Sequence, residues 1–128
     1  MTPAEIHQAL QAAVVCANEG RAVDAHRTLQ QILAIDPNQI DAISQLALLC
    51  LREKNYESAI QYFERALAIT QSPALCANFG LALASAGKLS AAFAAYRRAI
   101  ELNPNIPEIH FNLGHALQQA GQLAEAMV

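Results

Sequence analysis

Apolar residues along this chain return at spacings of three and four, and the recurring positions fall on one arc of a helix that turns 100° per residue. The clearest run is Ile43, Leu46, Ala47 and Cys50, followed after a break by Ala59, Phe63 and Ala66. Cys76, Phe79, Gly80 and Leu83 repeat the first set, and Ala92, Tyr96 and Ala99 repeat the second. A fainter copy precedes them in Ala9, Ala12, Ala13 and Cys16 with Ala25, Leu29 and Ile32, and a further first set follows in His110, Leu113, Gly114 and Leu117. Gly20 and Gly87 interrupt the pattern inside a pair, whereas Asp36-Pro37-Asn38 and Asn103-Pro104-Asn105 interrupt it between pairs. No stretch alternates in the manner of a strand, so the pattern predicts helices alone, of about 13 residues each. Thr2-Pro3-Ala4-Glu5 is a capping box with proline at the first helical position, and Ser72-Pro73 offers a similar start.

These copies have a fixed period. Asn78-Phe79-Gly80 and Asn112-Leu113-Gly114 lie 34 residues apart, as do Gly87 and Gly121. Four frames follow, 6–39, 40–72, 73–106 and 107–128, each predicted to hold two antiparallel helices. In the fourth, Gly121 is expected to break the chain and leave Leu123 to Val128 as the start of a second helix. A truncated last pair suggests a single array, residues 1–128, belonging to a longer protein. Small residues at Ala13, Ala47, Gly80 and Gly114 in the first helices, and at Ala25, Ala59, Ala92 and Ala126 in the second, would let helix backbones approach closely.

The period and the residue types resemble the tetratricopeptide repeat (TPR), whose signature runs W-x₂-L-G-x₂-Y, then A-x₃-F, then P. The third frame supplies Cys76, Phe79, Gly80, Leu83, Ala92, Tyr96, Ala99 and Pro104; the second keeps Leu46, Ala47, Ala59, Phe63 and Ala66. The likeness runs from Ile6 to Val128. It implies an all-α, right-handed TPR superhelix, an α-solenoid of about three and a half antiparallel helix pairs, with the first helices lining the concave side.

Composition removes several function classes. Of 128 residues 54% are hydrophobic, enough for a continuous core, and with 15% charged and a net charge of −3 there is no basic footprint for nucleic acid. No basic leader followed by an apolar run opens the chain, and no apolar stretch is long enough to span a membrane. Cys16, Cys50 and Cys76, an odd count without metal-type spacing, point to reduced and buried thiols in a cytoplasm. His7, His26, His110 and His115 are scattered, with no i, i+4 pair for a metal. His110 stands in a core column and is expected to be a hydrogen-bonded packing residue. Neither a phosphate loop nor a nucleophile elbow occurs. The sequence therefore predicts no enzyme, no cofactor and no metal, but a module that binds a protein or peptide. Arg97, Arg98 and Lys88 read as a solvated outer face.

The binding surface is expected on the arc of each first helix opposite the core. Five residues after each frame start stand Gln11, Gln45, Asn78 and Asn112, all carboxamides with two donors and an acceptor each. Beside them runs an apolar stripe of Val14, Leu48 and Leu81, flanked by Leu10, Leu51 and Phe111, with Arg52 and His115 completing the candidate groove. Asn78 and Asn112 are similar to the asparagine ladder in the TPR superhelix of O-linked N-acetylglucosamine transferases; Gln11 and Gln45 differ by one methylene. The resemblance implies an extended peptide in the groove, or else a substrate-recruiting arm of a multidomain enzyme such as a glycosyltransferase. TPR domains that grip a C-terminal carboxylate use a lysine, arginine and asparagine cluster; only Arg52 is basic here, which disfavours that mode. An open apolar face at the fourth frame would also favour self-association.

Overall fold

A computed structural model describes the backbone of residues 1–126 and the side chains of residues 1–123. Seven helices and no strand occur among the described residues: α1 (Pro3–Asn18), α2 (Ala22–Ile35), α3 (Ile40–Arg52), α4 (Tyr56–Ile69), α5 (Pro73–Ser85), α6 (Leu89–Leu102) and α7 (Pro107–Ala126). They divide into two compact units, Met1–Thr70 and Gln71–Val128.

In the first unit α1 packs on α2, α2 on α3, and α3 on α4, with α1 also meeting α3. Leu29, Ile32, Ile43, Leu46 and Phe63 are its large buried side chains, set among Ala25, Ala42, Ala47, Ala59 and Ala66. The alanines let the backbones close in, and the large residues fill what remains. The hydroxyl of Thr2 accepts from the Glu5 amide at 3.1 Å, capping α1. Arg65 of α4 donates to the Pro37 carbonyl at 3.1 Å and ties the α2–α3 turn down. Within that turn the Asn38 amide reaches the Asp36 carboxylate at 3.3 Å.

The turn inside each pair is built the same way. Gly20, Lys54 and Gly87 adopt φ of 78°, 62° and 82°. The amide after each donates back five residues, Arg21 to Cys16 at 2.8 Å, Asn55 to Cys50 at 2.9 Å and Lys88 to Leu83 at 2.8 Å. These are Schellman caps, in which a left-handed residue turns the last amides onto otherwise unpaired carbonyls. The second pair makes the turn without glycine, at Lys54.

In the second unit α5 packs on α6 and α6 on α7, with α5 also meeting α7. Tyr96, Ala82, Ala92 and Ala99 are fully covered. Here the sequence expectation fails in the fourth frame. Gly121 does not break the helix: α7 runs on through it to Ala126. A glycine inside a helix costs only about 1 kcal/mol, and continuing the existing helix keeps its backbone hydrogen bonds. The expected core arc of α7 consequently has nothing over it among the described residues. His110, Gly114 and Leu117 are exposed and Leu113 is half-buried, while Ile109 and Ala116 on another face are buried. His110 is hydrogen-bonded, with Nε2 2.9 Å from the Pro104 carbonyl, but it is not a packing residue. Ala12 of α1 is likewise exposed and Cys16 half-buried, because no described element covers that side of α1. The expected role of Ala126, like the placement of Val128, lies outside the described side chains.

Candidate functional site

The arc opposite the core has to be followed one unit at a time. On α1, Gln11 is exposed and Val14 half-buried; on α3, Gln45 and Leu48 are half-buried and Arg52 is exposed. The side-by-side packing of α1 and α3 brings them together. His7, Gln11, Val14, Asp41 and Gln45 line one shallow concavity of about 210 Å³. Val14, Gln45, Leu48 and Arg52 line the next one along, with Ala17 and Asn18. All five candidates of the first unit therefore share one strip of surface. Leu10, expected to flank the apolar stripe, is buried at 9% exposure, yet it also lines the first of these concavities.

The second unit repeats the arrangement between α5 and α7. Asn78 and Asn112, both half-buried, line a concavity of about 360 Å³ with Ala74, Ile106, Glu108 and Ile109. Leu81, Asn112 and His115 line the adjoining one, of about 110 Å³. Phe111 is 75% exposed, but it lies on the open arc of α7 with Gly114 and Leu117.

The carboxamides differ in what they already hold. Gln11 Nε2 lies 3.2 Å from the His7 ring nitrogen, one turn away on α1. Arg52 reaches the Asn18 carboxamide oxygen at 3.5 Å. Gln45, Asn78 and Asn112 engage no side-chain partner among the described residues, and no buried side-chain nitrogen or oxygen is left unsatisfied there. Their donors and acceptors are met by solvent and open to exchange with a ligand.

One lining residue was not foreseen from the sequence. Tyr96 belongs to α6, a second helix, yet lines the concavity of Leu81, Asn112 and His115. Gly80 explains its reach: a Cβ there would fall 2.8 Å from Tyr96 Cε1 and 2.9 Å from Cδ1, so the ring occupies the space that a side chain would need. In the first two pairs the same positions hold Ala13 with Leu29 and Ala47 with Phe63. The signal was present as the smallest residue in one column facing the only tyrosine in the other. Burial pushes the Tyr96 phenol up to about 12. Burial also raises the Cys50 thiol, helped by Glu53, and the Cys76 thiol.

Residues 17–78 match the family described as tetratricopeptide repeat, and residues 80–126 match its TPR repeat description. The chain belongs to the tetratricopeptide repeat family. Its all-α fold is of the TPR solenoid class. Among curated relatives of this TPR protein, the photosystem I assembly protein Ycf3 of Acaryochloris marina is 33% identical over 75 residues, 56% of this chain and 45% of its own length. The mitochondrial import receptor subunit TOM70 of Saccharomyces cerevisiae is 29% identical over 76 residues. That match takes in 59% of this chain and 12% of TOM70. The chain thus spans less than half the length of either. Among solved structures, an O-GlcNAc transferase of Thermobaculum terrenum superposes with a TM-score of 0.82 at 27% identity. That superposition covers 91% of this chain and 23% of the transferase. No helix of the TPR chain is long and apolar enough to cross a membrane among the described residues.

Proposed function

We propose that the chain is a non-enzymatic protein-interaction scaffold, one array of repeats over residues 1–128, whose first helices hold an extended peptide by its backbone. The observation that carries this reading is the state of the carboxamides. Gln45, Asn78 and Asn112 stand at one repeat position, in concavities, with no side-chain partner of their own among the described residues. An amide can donate to a peptide carbonyl and accept from the next N–H, so pairs of them favour backbone over side-chain recognition. Val14, Leu48 and Leu81 give apolar surface beside them for whatever side chains the peptide carries. Arg52 and His115 stand at the end of each strip, and Gln11 completes the carboxamide pair of the first unit. The partners so read are proteins or peptides rather than nucleic acid or membrane, and the three free thiols suit a cytoplasm.

The test selects a peptide on the wild-type chain from a library of unstructured peptides and repeats the titration with the double variant Asn78→Ala/Asn112→Ala. Two lost hydrogen bonds of about 1 kcal/mol each predict a loss of at least about tenfold in affinity. Unchanged affinity in the folded double variant removes the carboxamides from the site.

The transferase superposition favours a second reading, in which these repeats recruit substrates for a catalytic domain in the same polypeptide. A third use is self-association through α7, whose open arc carries Phe111 and Leu117 at 75% and 50% exposure. Sedimentation that stays monomeric at high concentration rules that use out.

A further inference from the structure

The geometry points to a transition-metal site in the first unit, formed by His26, Cys50 and Glu53 and suited to zinc. His26 comes from α2, Cys50 from the last turn of α3 and Glu53 from its C-cap. His26 Nε2 lies 2.6 Å from Glu53 Oε1, and these two atoms and the Cys50 sulfur all lie within 4.8 Å of one another. Zinc bonds of about 2.0–2.1 Å to nitrogen and oxygen and about 2.3 Å to sulfur place tetrahedral ligand atoms roughly 3.3–3.7 Å apart. The 2.6 Å contact is about an ångström shorter than required, and the distances to sulfur, at most 4.8 Å, exceed the requirement by no more than about 1.5 Å. The His26 and Glu53 side chains are 32% and 41% exposed, so both can rotate to open their 2.6 Å contact and admit an ion. One imidazole, one thiol and one carboxylate form a borderline-soft set that selects zinc or cobalt over calcium or magnesium. Three protein ligands leave the fourth position to water from the solvent side.

The repeat supplies an independent control. One frame later the positions of His26, Cys50 and Glu53 hold Ile60, Leu83 and Ala86, and one frame later again Phe93, Leu117 and Ala120. Apolar types stand at all three positions in both later frames, whereas one frame earlier Cys16 and Glu19 already stand at the second and third; what sets this place apart is His26, which brings a third donor to the cysteine and the glutamate. A half-exposed histidine–glutamate pair accounts for two of these groups as a surface ion pair, yet such pairs stabilise little. The buried Cys50 sulfur lies close enough to both to be the third donor. Glu53 also lies at the C-terminus of α3, where the helix dipole adds partial negative charge that favours a cation. An ion there would join α2 to the end of α3. Binding displaces the Cys50 proton to the buffer as the sulfur–metal bond forms.

The experiment uses the whole chain, reduced and stripped with a chelator, titrated with Zn²⁺ by calorimetry and with Co²⁺ by absorption. One equivalent is expected, with a thiolate-to-cobalt charge-transfer band that survives in Cys16→Ser and Cys76→Ser and vanishes in Cys50→Ser. His26→Gln and Glu53→Gln alter half-exposed side chains and should keep the fold by circular dichroism. Each is expected to lower zinc affinity by at least about tenfold, since losing even an outer partner of a ligand costs about that much. Should Cys50→Ser fail to fold, these two variants decide the matter alone. The site is overturned by the absence of stoichiometric binding, by a cobalt band carried by Cys16 or Cys76, or by undiminished affinity in the His26 and Glu53 variants.

Discussion

Gly80 and Gly114 occupy the same repeat position, yet the structure gives them opposite consequences. A Cβ on Gly80 collides with the Tyr96 ring, which is 1% exposed, whereas a Cβ on Gly114 meets nothing within 4 Å. Gly80→Ala is expected to destabilise by about 1–3 kcal/mol through overpacking. Gly114→Ala should stabilise by about 0.5–1 kcal/mol, since it removes a helix-interior glycine at no steric cost. Urea denaturation of the two variants beside wild type checks both signs. Lys54 provides a third test at this scale. It holds the left-handed turn position, φ 62°, that glycine fills in the first and third pairs. Lys54→Gly should therefore gain about 1 kcal/mol, and a loss would show that the Lys54 side chain contributes contacts of its own. The sequence alone shows the column of small residues, but which of its members is crowded depends on what faces it, and that is a property of α6 and α7.

At the scale of the helix, the repeat made six of the seven elements legible, because apolar spacing marks α1 to α6 and turn residues separate most of them, the exception being the α3–α4 turn at Lys54. The seventh was misread for a physical reason. A periodic pattern records the face a helix is suited to bury, and says nothing of whether a neighbour covers it. Leu113, Gly114 and Leu117 carry the pattern of Phe79, Gly80 and Leu83, but no described second helix lies over α7. The same limit hid His26, Cys50 and Glu53, since spacing rules look for ligands close in sequence and these meet only once α2 lies against the end of α3. Packing between α3 and α4 yields a prediction of its own. Ala59 is 0% exposed, and Ala59→Leu would drive additional side-chain carbons into a closed crossing. A loss of about 1–3 kcal/mol is expected by chemical denaturation; a neutral outcome would mean that the α3–α4 contact can relax.

For the molecule as a whole, stability should fall on the alkaline side. Cys50 and Cys76 are raised above the ordinary 9.0, and Tyr96 is raised from 10.0 to about 12. Below the ordinary values both folded and unfolded chains keep these protons and the buried neutral groups contribute fully. As pH rises past them the unfolded chain ionises first, which favours unfolding until the folded groups ionise too. Urea midpoints should therefore decline from about pH 9 upward, and Tyr96→Phe should flatten the part of that decline between pH 10 and about 12. A midpoint that holds level across this range contradicts the assigned burial. The central claim concerns the carboxamides, and it is tested most directly by following their side-chain NH₂ resonances during titration with the selected peptide. The account predicts that the signals of Gln45, Asn78 and Asn112 move together and saturate with binding, for a scrambled peptide as well as the original, while N-methylation of the peptide backbone abolishes the effect. Binding that leaves those three signals in place, or that survives backbone methylation but not scrambling, contradicts it.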